Sequence, residues 1–580
     1  MKLRGKHATV AWMIVGLAAA ILTLAVLVRR PPAPAGITLQ DVTQQQTQIA
    51  FLHTDGGCGR YLIMETVSAG LALFDYDGDG QIDLYFLNGA PLSGCTAETT
   101  PRNALYRNLG GWRFADVTEQ AGVGDAGYAL GVVAGDFDND GDVDLFVNND
   151  GSNVLYRNNG DGTFENVAAA AGVVGGDAVA AGAAFLDADG DGDLDLFVAN
   201  YLHFSEERHL APTIRGVPVY VSPQHYPPAR NQLYRNNGDG TFTDISDAAG
   251  IGRDANWAMG MVCADYDNDG DTDVFVANDV ADNFLYENDG QGNFQEVGLS
   301  AGVAYDLYGS PQGSMGVECG DYDNDGWLDF YQTSYQLQHA VLFRNLGGGR
   351  FEDATFTSGA GAGTFAHVTW GSGLVDLDND GDRDLFVACG HLQDRVEEYD
   401  ASTSYQARNV LLSNAGDGRF VDVSGQAGDG MDVARSSRGA AFDDLDGDGL
   451  VDVVVLNSRS PPTLLRNATP TKNHWIQLDL CGVIANRGGV GSRVTVTAGA
   501  SVQTAEVHAG RSYQSHFGSR LHFGLGGHAR VDRMEIRWLG GGREIIENVP
   551  ADQRLIVIEG RGGGAAAAAV KTLTSLEFTL

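Results

Sequence analysis

Basic residues are scarce in this 580-residue sequence, where 37 lysines and arginines stand against 76 aspartates and glutamates and give a formal net charge of −39. Nucleic-acid phosphates are bound by clustered lysine and arginine, so we expect no nucleic-acid partner. A hydrophobic content of 43% together with 79 glycines indicates a folded, turn-rich β protein rather than a disordered chain.

Catalytic motifs are missing as well. The sequence has no GxSxG element, no nucleophilic cysteine with a paired histidine and no phosphate-cradling glycine loop. Its histidines lack the HExxH spacing of a zinc enzyme, so no transition metal is assigned. We therefore predict no catalytic residue and no enzymatic activity, although the many carboxylates leave a glycosidase-like pair open.

One acidic motif, exemplified by Asp136–Leu145, occurs seven times in the sequence. Aspartate stands at positions 1, 3, 5 and 9 and glycine at position 6, where it permits a sharp turn. β-forming residues follow each copy, which predicts a loop inside a β-hairpin. In chain order, acidic loops 1 to 7 contain Asp75, Asp77, Asp79 and Asp83; Asp136, Asp138, Asp140 and Asp144; Asp187, Asp189, Asp191 and Asp195; Asp265, Asp267, Asp269 and Asp273; Asp321, Asp323, Asp325 and Asp329; Asp376, Asp378, Asp380 and Asp384; and Asp444, Asp446, Asp448 and Asp452.

Oxygen ligands at this density suit calcium, which accepts six to eight of them in a flexible shell. By analogy with the EF-hand loop, positions 1, 3 and 5 would donate carboxylates, position 7 its backbone carbonyl, and position 9 would close the shell with both oxygens. The alternative is a solvated acidic turn, but so many carboxylates without cations would repel one another. We predict up to seven calcium ions in a structural role, because binding to the folded state alone raises stability.

Six cysteines are present. Cys58 and Cys95 flank acidic loop 1, and a disulfide between them is expected if the protein is exported. Cys263 and Cys319 each lie two residues before an acidic loop, and for them we expect small buried thiols.

The N-terminus predicts export. Residues 8–28 form an uncharged run between the basic residues of positions 2–6 and Arg29-Arg30. As a helix, such a run spans roughly 30 Å, the thickness of a membrane core. We predict an uncleaved membrane anchor with the body periplasmic or extracellular; the alternative is a cleaved signal and a secreted protein.

Between the acidic loops the sequence repeats two further strand patterns, Asn-x-Leu-Tyr-Arg-Asn and Phe-x-Asp-Val-Thr, separated by Gly-Asp-Gly turns. Short strands in units of this kind indicate a β-propeller. The seventh unit ends at Asn467 without its last strand, and a matching segment occurs at 39–43. We expect the N-terminal strand to complete the last blade and so remove an open edge.

The DxDxDGxxDL loops and FxDVTxxAGV connectors resemble the FG-GAP/VCBS repeats of seven-bladed, integrin-α-type propellers. The segments 473–478, 486–494, 510–513, 521–526 and 531–538 are similar to the ASPIC/UnbV domain. The combination is that of the cartilage acidic protein family and its bacterial relatives. The resemblance covers residues 37–560 and implies an extracytoplasmic calcium-binding propeller followed by a small β domain, without a settled activity.

We thus predict an all-β protein with an anchor and spacer at 1–36, a seven-bladed propeller at 37–468, a β domain at 469–560, and a linker and tail at 561–580. Arginines collect in the β domain. We expect them to contact the acidic propeller, with an anionic-ligand patch as the alternative. They are Arg487, Arg493, Arg511, Arg520, Arg530, Arg533, Arg537 and Arg543.

Two long inserts, 201–230 and 390–408, interrupt the third and sixth units. Loops over a rigid scaffold commonly carry binding function, and we expect these to share one face; ordinary surface loops are the alternative. The function predicted is an adhesion or interaction module for a protein or glycan ligand on this face. A polysaccharide-acting enzyme or accessory and a structural subunit of an extracellular assembly are alternatives. Candidate residues are His203, His209, His225, His391, Asp394, Glu397, Glu398 and Asp400.

Overall fold

The computed structural model describes residues 36–561 and the strand 570–572. The predicted membrane segment 8–28 therefore lies outside the described residues. Within the described part, no helix is long and apolar enough to cross a membrane.

The longer strands of residues 71–422 form six antiparallel sheets of four strands each. Sheets 2 and 3 are linked by the pair Val179 and Asp150, and Gln312–Gly313 pairs with sheet 4 as a short fifth strand. Each acidic loop connects the first strand of a sheet to its second, as predicted. The sheets are, in order, Leu71–Phe74, Asp83–Phe86, Ala104–Asn108 and Phe114–Asp116; Tyr128–Gly135, Asp144–Asp150, Val154–Asn158 and Phe164–Asn166; Val179–Leu186, Asp195–Leu202, Gln232–Asn236 and Phe242–Asp244; Ala258–Ala264, Asp273–Ala281, Phe284–Asn288 and Phe294–Glu296; Val317–Gly320, Asp329–Gln332, Val341–Asn345 and Phe351–Asp353; and Thr369–Val375, Asp384–Cys389, Val410–Asn414 and Phe420–Asp422.

Sheet 7 closes the ring with both ends of this region. It consists of Ser437–Asp443, Asp452–Asn457, Thr463–Asn467 and the N-terminal strand Leu39–Asp41. Leu39 pairs with Asn467 and is fully buried. The predicted completion of the last sheet by the N-terminal strand is confirmed. The first strands of successive sheets pack against one another around the ring, from the first to the last and back to the first, so the fold is all-β and propeller-like.

Short helices follow several outer strands. They begin where Phe-x-Asp-Val-Thr ends and stop at a glycine such as Gly122, whose φ of +77° is left-handed and favours glycine. The α-helices are Thr43–Gln46, Thr118–Ala121, Ala168–Ala171, Ser246–Ala249, Gly298–Ala301 and Thr355–Ser358, and the 3-10 helices are Ile63–Thr66, Glu206–Arg208, Pro223–His225, Ile251–Arg253, Val396–Glu398, Ser424–Gln426 and Asp429–Asp432. Two-residue strands are Thr213–Ile214, Val217–Pro218, Ala229–Arg230, Ala255–Asn256, Gln312–Gly313, Ala407–Arg408 and Ala434–Arg435.

The C-terminal domain has two four-stranded sheets that share a hydrophobic core, to which Ile476, Val494 and Ile536 belong. The strand Val570–Thr572 pairs with the edge of one sheet, so the domain extends into the region predicted to be a linker and tail. The two sheets are His474–Cys481, Arg520–Gly526, Gln553–Ile558 and Val570–Thr572; and Arg493–Ala498, Ser501–Glu506, Arg530–Arg537 and Arg543–Pro550.

Residues 507–519 of the C-terminal domain, here called the axial segment, enter the centre of the ring. The Ser512 amide and carbonyl bond the carbonyl and amide of Val317 in sheet 5, and His516 does the same with the inner strand of sheet 1. Further hydrogen bonds join the segment to the first strands of sheets 2, 3, 4 and 6. The two domains are therefore joined by backbone pairing along the axis as well as by their facing surfaces.

Candidate metal centres and the two faces of the ring

Backbone geometry in the acidic loops explains their spacing. In loop 1 the two carboxylate oxygens of Asp75 accept the amides of Asp79 and Gly80 at 3.1 and 2.7 Å. The glycine at position 6 has φ between +86° and +106° in the seven loops, a conformation that other residues avoid. Position 4 is glycine or asparagine with φ also positive. The chain thus wraps around the first carboxylate, as the motif predicts.

The aspartate at position 9 ties each hairpin to its third strand. In loop 1, Asp83 accepts the amide of Asn108 at 2.7 Å and that of Tyr76 at 3.1 Å, one on each oxygen. The same pair of bonds recurs in all seven loops. Both oxygens therefore accept a backbone hydrogen bond that the sequence did not predict. Each oxygen keeps a second lone pair with which it can bind a cation.

The carboxylates of a loop converge. Ligand atoms from positions 1, 3 and 9 in loops 1 and 2, and from positions 1, 3 and 5 in loops 3, 4 and 5, lie within 4.8 Å of one another. At position 3, one oxygen each of Asp138, Asp189, Asp323 and Asp446 is buried without a hydrogen-bond partner. Buried polar atoms are normally paired because desolvating them is costly. The donor set, all oxygen and partly unpaired, fits a hard cation.

Burial also raises the pKa of these carboxylates. It raises the pKa of Asp136 to about 7, of Asp144 to about 9 and of Asp195 to about 8, and neighbouring loop carboxylates add to the shift. Without a cation, the loops therefore hold protons at pH values where a free aspartate is ionised.

Arginines from the Asn-x-Leu-Tyr-Arg-Asn strands neutralise part of this charge. Arg107 contacts Asp77 at 2.7 Å and Asp79 at 2.9 Å. Arg344 and Arg466 make the same contacts in loops 5 and 7. In loops 5 and 7 the arginine leaves a carboxylate oxygen for a cation, since one position 3 oxygen of each of these loops is unpaired.

The C-terminal domain covers the face that carries the acidic loops. Arg537 pairs with Asp265 of loop 4, while Arg493 bonds Asn268 of the same loop. Arg520 donates to the carbonyl of Gly80 in loop 1 at 3.2 Å. Loops 2, 6 and 7 are contacted by the Arg487 amide and by the side chains of His522 and Gln477.

The predicted contact between the arginine-rich domain and the acidic ring is confirmed for four of the eight arginine side chains, and Arg487 adds a contact through its backbone amide. Arg511 adds a buried pair with Glu318 of sheet 5, with side-chain exposures of 8% and 0%. Arg530, Arg533 and Arg543 instead pair with Asp532 or Glu535 of their own domain.

The two inserts meet on the opposite face. The Gln393 amide group accepts from the Tyr220 amide at 2.9 Å and donates to its carbonyl at 3.2 Å. The candidate histidines serve the fold here: ring nitrogens of His209 and His225 contact the carbonyls of Arg60 and Arg208. The shared face is thus present, but these histidines do not form a cluster.

The remaining insert candidates are likewise engaged. His391 accepts the Gln393 amide at 2.8 Å, and His203 lies 3.6 Å from Asp177. Asp394 pairs with Arg459 at 2.9 Å. Glu397 accepts the amide of Tyr405, Glu398 pairs with Arg395, and Asp400 accepts from Ser402.

The cysteines follow the prediction. Cys58 and Cys95 form a disulfide with their Cα atoms 5.6 Å apart. Cys263, Cys319 and Cys389 are buried free thiols.

Comparison with known families finds two family models that match different parts of the chain. A model described as FG-GAP-like repeat matches residues 75–147, 136–198, 219–276, 265–332 and 376–455, together more than half of the chain. The protein belongs to the FG-GAP-like repeat family. A second model, ASPIC and UnbV, matches residues 482–564 of this FG-GAP protein.

Relatives and solved structures resemble this FG-GAP protein over most of its length. Cartilage acidic protein 1 of Mus musculus and of Homo sapiens are each 24% identical over 457 residues, which is 75% of this chain and 64% and 63% of theirs. The chain thus spans less than two thirds of these relatives. A lectin from Burkholderia pseudomallei, 11% identical, is similar over 69% of this chain and 99% of its own, with a TM-score of 0.41.

Proposed function

We propose that this FG-GAP protein is a seven-bladed, calcium-stabilised propeller that acts as an extracytoplasmic interaction module. The unpaired, buried position 3 oxygens of loops 2, 3, 5 and 7 carry the proposal, together with the convergence of carboxylates in the loops. Aspartates at positions 1, 3, 5 and 9 of the seven loops would hold up to seven ions, with the position 7 carbonyl completing each site. The role proposed for calcium is structural: the ion would supply positive charge and take part in no reaction.

The position of the loops explains what the ions would stabilise. They lie between the first and second strands of each sheet and beneath the C-terminal domain, which contacts five of them through side chains or backbone. An ion that neutralises a loop would therefore favour both the hairpin and the docked domain, and binding to the folded state alone raises stability by mass action.

The insert face is the proposed binding surface for a protein or glycan ligand, because it is the face that the C-terminal domain leaves uncovered. Two observations favour a non-enzymatic role: the insert histidines are engaged by the fold, and the acidic loops lie on the other face. We propose a propeller at 37–468 and a β domain from 469, with residues 8–28 anchoring the protein to a membrane and its body outside the cytoplasm.

Counting bound ions in matched variants tests the calcium sites. Asp138→Ala removes the position 3 ligand of loop 2, whereas Asp142→Ala changes position 7 and keeps its backbone carbonyl. After dialysis against calcium, elemental analysis should find about one ion fewer per chain in the first variant and an unchanged count in the second. Equal counts in all three proteins, or no bound calcium in the parent, would contradict the assignment.

A further inference from the structure

A cavity of about 270 Å³ opens on the insert face, over the centre of the ring. Its wall is mainly apolar, with aromatic, methionine and aliphatic side chains, and comes from sheets 3 to 6 and the segments beside them, both inserts and residues 63–67. The residues that matter for recognition are Tyr201, Tyr220, Met259, Met315, Tyr335 and Trp370. Pockets of this size and lining bury small organic ligands.

The axial segment supplies the base on which this wall rests. Tyr513 packs edge-on against Trp370 with ring centroids 5.0 Å apart, and it shares a hydrophobic cluster with Tyr201, Met259 and Met315. Its hydroxyl is buried and has no hydrogen-bond partner. A polar group left unpaired in this way is costly, but Tyr513 is not part of the cavity wall. The C-terminal domain thus supports the wall from behind without lining the cavity.

Asp279 is the only charged side chain in the wall of the cavity. One of its oxygens accepts the Tyr201 hydroxyl at 2.9 Å, and within residues 36–561 no ion pair includes it. Burial raises the pKa of Asp279 to about 7, which reflects the cost of an uncompensated carboxylate. The site is therefore complementary to a positive charge.

Three other polar groups of the wall are already paired within the chain. The side-chain amide of Gln393 is hydrogen-bonded to the Tyr220 backbone. The Tyr220 hydroxyl donates to Glu65 at 2.9 Å, and the side-chain carbonyl oxygen of Gln338 accepts the Gly313 amide at 2.8 Å. A sugar needs several convergent partners of this kind and finds few. An apolar body with one cationic group is better matched, because aromatic faces also attract cations.

Two nearby guanidinium groups oppose a cation, those of Arg438 and of Arg459, which donates to the Tyr220 hydroxyl at 3.1 Å. The Arg438 guanidinium stacks over Trp370, 4.0 Å from its ring centroid. It is not part of the cavity wall, and its hydrogen bonds go to carbonyls and a hydroxyl around it. Arg459 is paired with Asp55, Glu65 and Asp394, so its charge is compensated within the chain.

We propose that this cavity binds a small primary amine with an apolar body, whose ammonium group is paired with Asp279. The proposal rests on the role of the insert face as the binding surface and assigns that face a ligand class.

Calorimetric titration of the full-length protein in saturating calcium tests this with three probes: benzylamine, the neutral benzyl alcohol, and glucose. Benzylamine should bind more tightly than either. Asp279→Asn keeps an oxygen for the Tyr201 hydroxyl but loses the charge, and it should weaken benzylamine roughly 10- to 100-fold. Asp282→Asn is the matched control. Asp282 lies just outside the cavity wall, two residues after Val280, so this variant should bind benzylamine like the parent.

Equal binding of benzylamine and benzyl alcohol, preference for glucose, no binding of benzylamine, or unchanged affinity in Asp279→Asn would each overturn the proposal. Ion counts and melting temperatures of the same samples report the calcium scaffold independently. A loss of amine binding in a calcium-loaded, normally melting protein is thus distinguished from failure of the scaffold.

Discussion

Tyr513 offers the sharpest test of how the axial segment joins the two domains. The side chain is fully buried at the centre of the ring, so Tyr513→Ala leaves a cavity and should cost about 3–5 kcal/mol. A cooperative unit of about 520 residues has an unfolding entropy of about 1.1 kcal/mol per kelvin. The melting temperature should therefore fall by about 3–5 °C. Tyr513→Phe should cause no fall, because the hydroxyl that it removes has no partner.

Differential scanning calorimetry in saturating calcium measures both variants, at one scan rate because large proteins often unfold irreversibly. Tyr308→Ala is the control, since that tyrosine is 77% exposed, and should melt within about 1 °C of the parent. A Tyr513→Ala protein that melts like the parent would refute the reasoning. So would a parent whose C-terminal domain melts in a separate transition.

Two further predictions concern ring closure and charge. Deleting residues 37–45 removes the strand that closes sheet 7 and should lower the melting temperature sharply; an unchanged melt would contradict this. In chelator, raised carboxylate pKa values, about 9 for Asp144 and about 8 for Asp195, mean that the folded chain binds protons more tightly than the unfolded chain. The free energy of unfolding should therefore fall as pH rises from 6.5 to 9. Buried histidines do not affect this range: burial lowers the pKa of His516, for example, to about 3, so its effect on stability lies below pH 6.5. Melting curves across this range should show the fall in chelator and lose it in calcium; parallel curves would refute the linkage.

The acidic loops could be predicted because their determinants are local. Ten residues contain the turn glycine, the left-handed position 4 and the carboxylates, so that the hairpin follows from the motif alone. The closing strand could be predicted because the repeats leave one strand missing at residue 467 and one spare at 39–43. In both cases the information lies in the repeat pattern of the sequence: in the motif itself for the loops, and in the one missing strand for the closure of the ring.

The axial segment could not be predicted. Its partners are backbone groups of six sheets that lie 140 or more residues away in the chain, and residues 507–519 show neither strand alternation nor a helical period. The resemblance of 510–513 to the ASPIC/UnbV domain marked the segment but gave no contact. Asp279 and Trp370 likewise belong to different sheets, so only the closed ring brings them to one cavity.

The contacts of the arginines in the C-terminal domain could be predicted only in part. Their accumulation beside an acidic ring predicts a contact, but not which of them make it. Arg493 and Arg537 are neighbours across two paired strands and reach loop 4 together. Arg533 and Arg543 lie on the same sheet and pair with Glu535 instead, because local carboxylates are closer to them than the ring.

The most direct test of the calcium scaffold combines bound-metal analysis with the melting temperature of the purified protein in calcium and in chelator. We predict several calcium ions per chain and a large drop in melting temperature when they are removed. A protein without bound calcium, whose melting temperature is the same in chelator, would contradict the assignment of the seven loops.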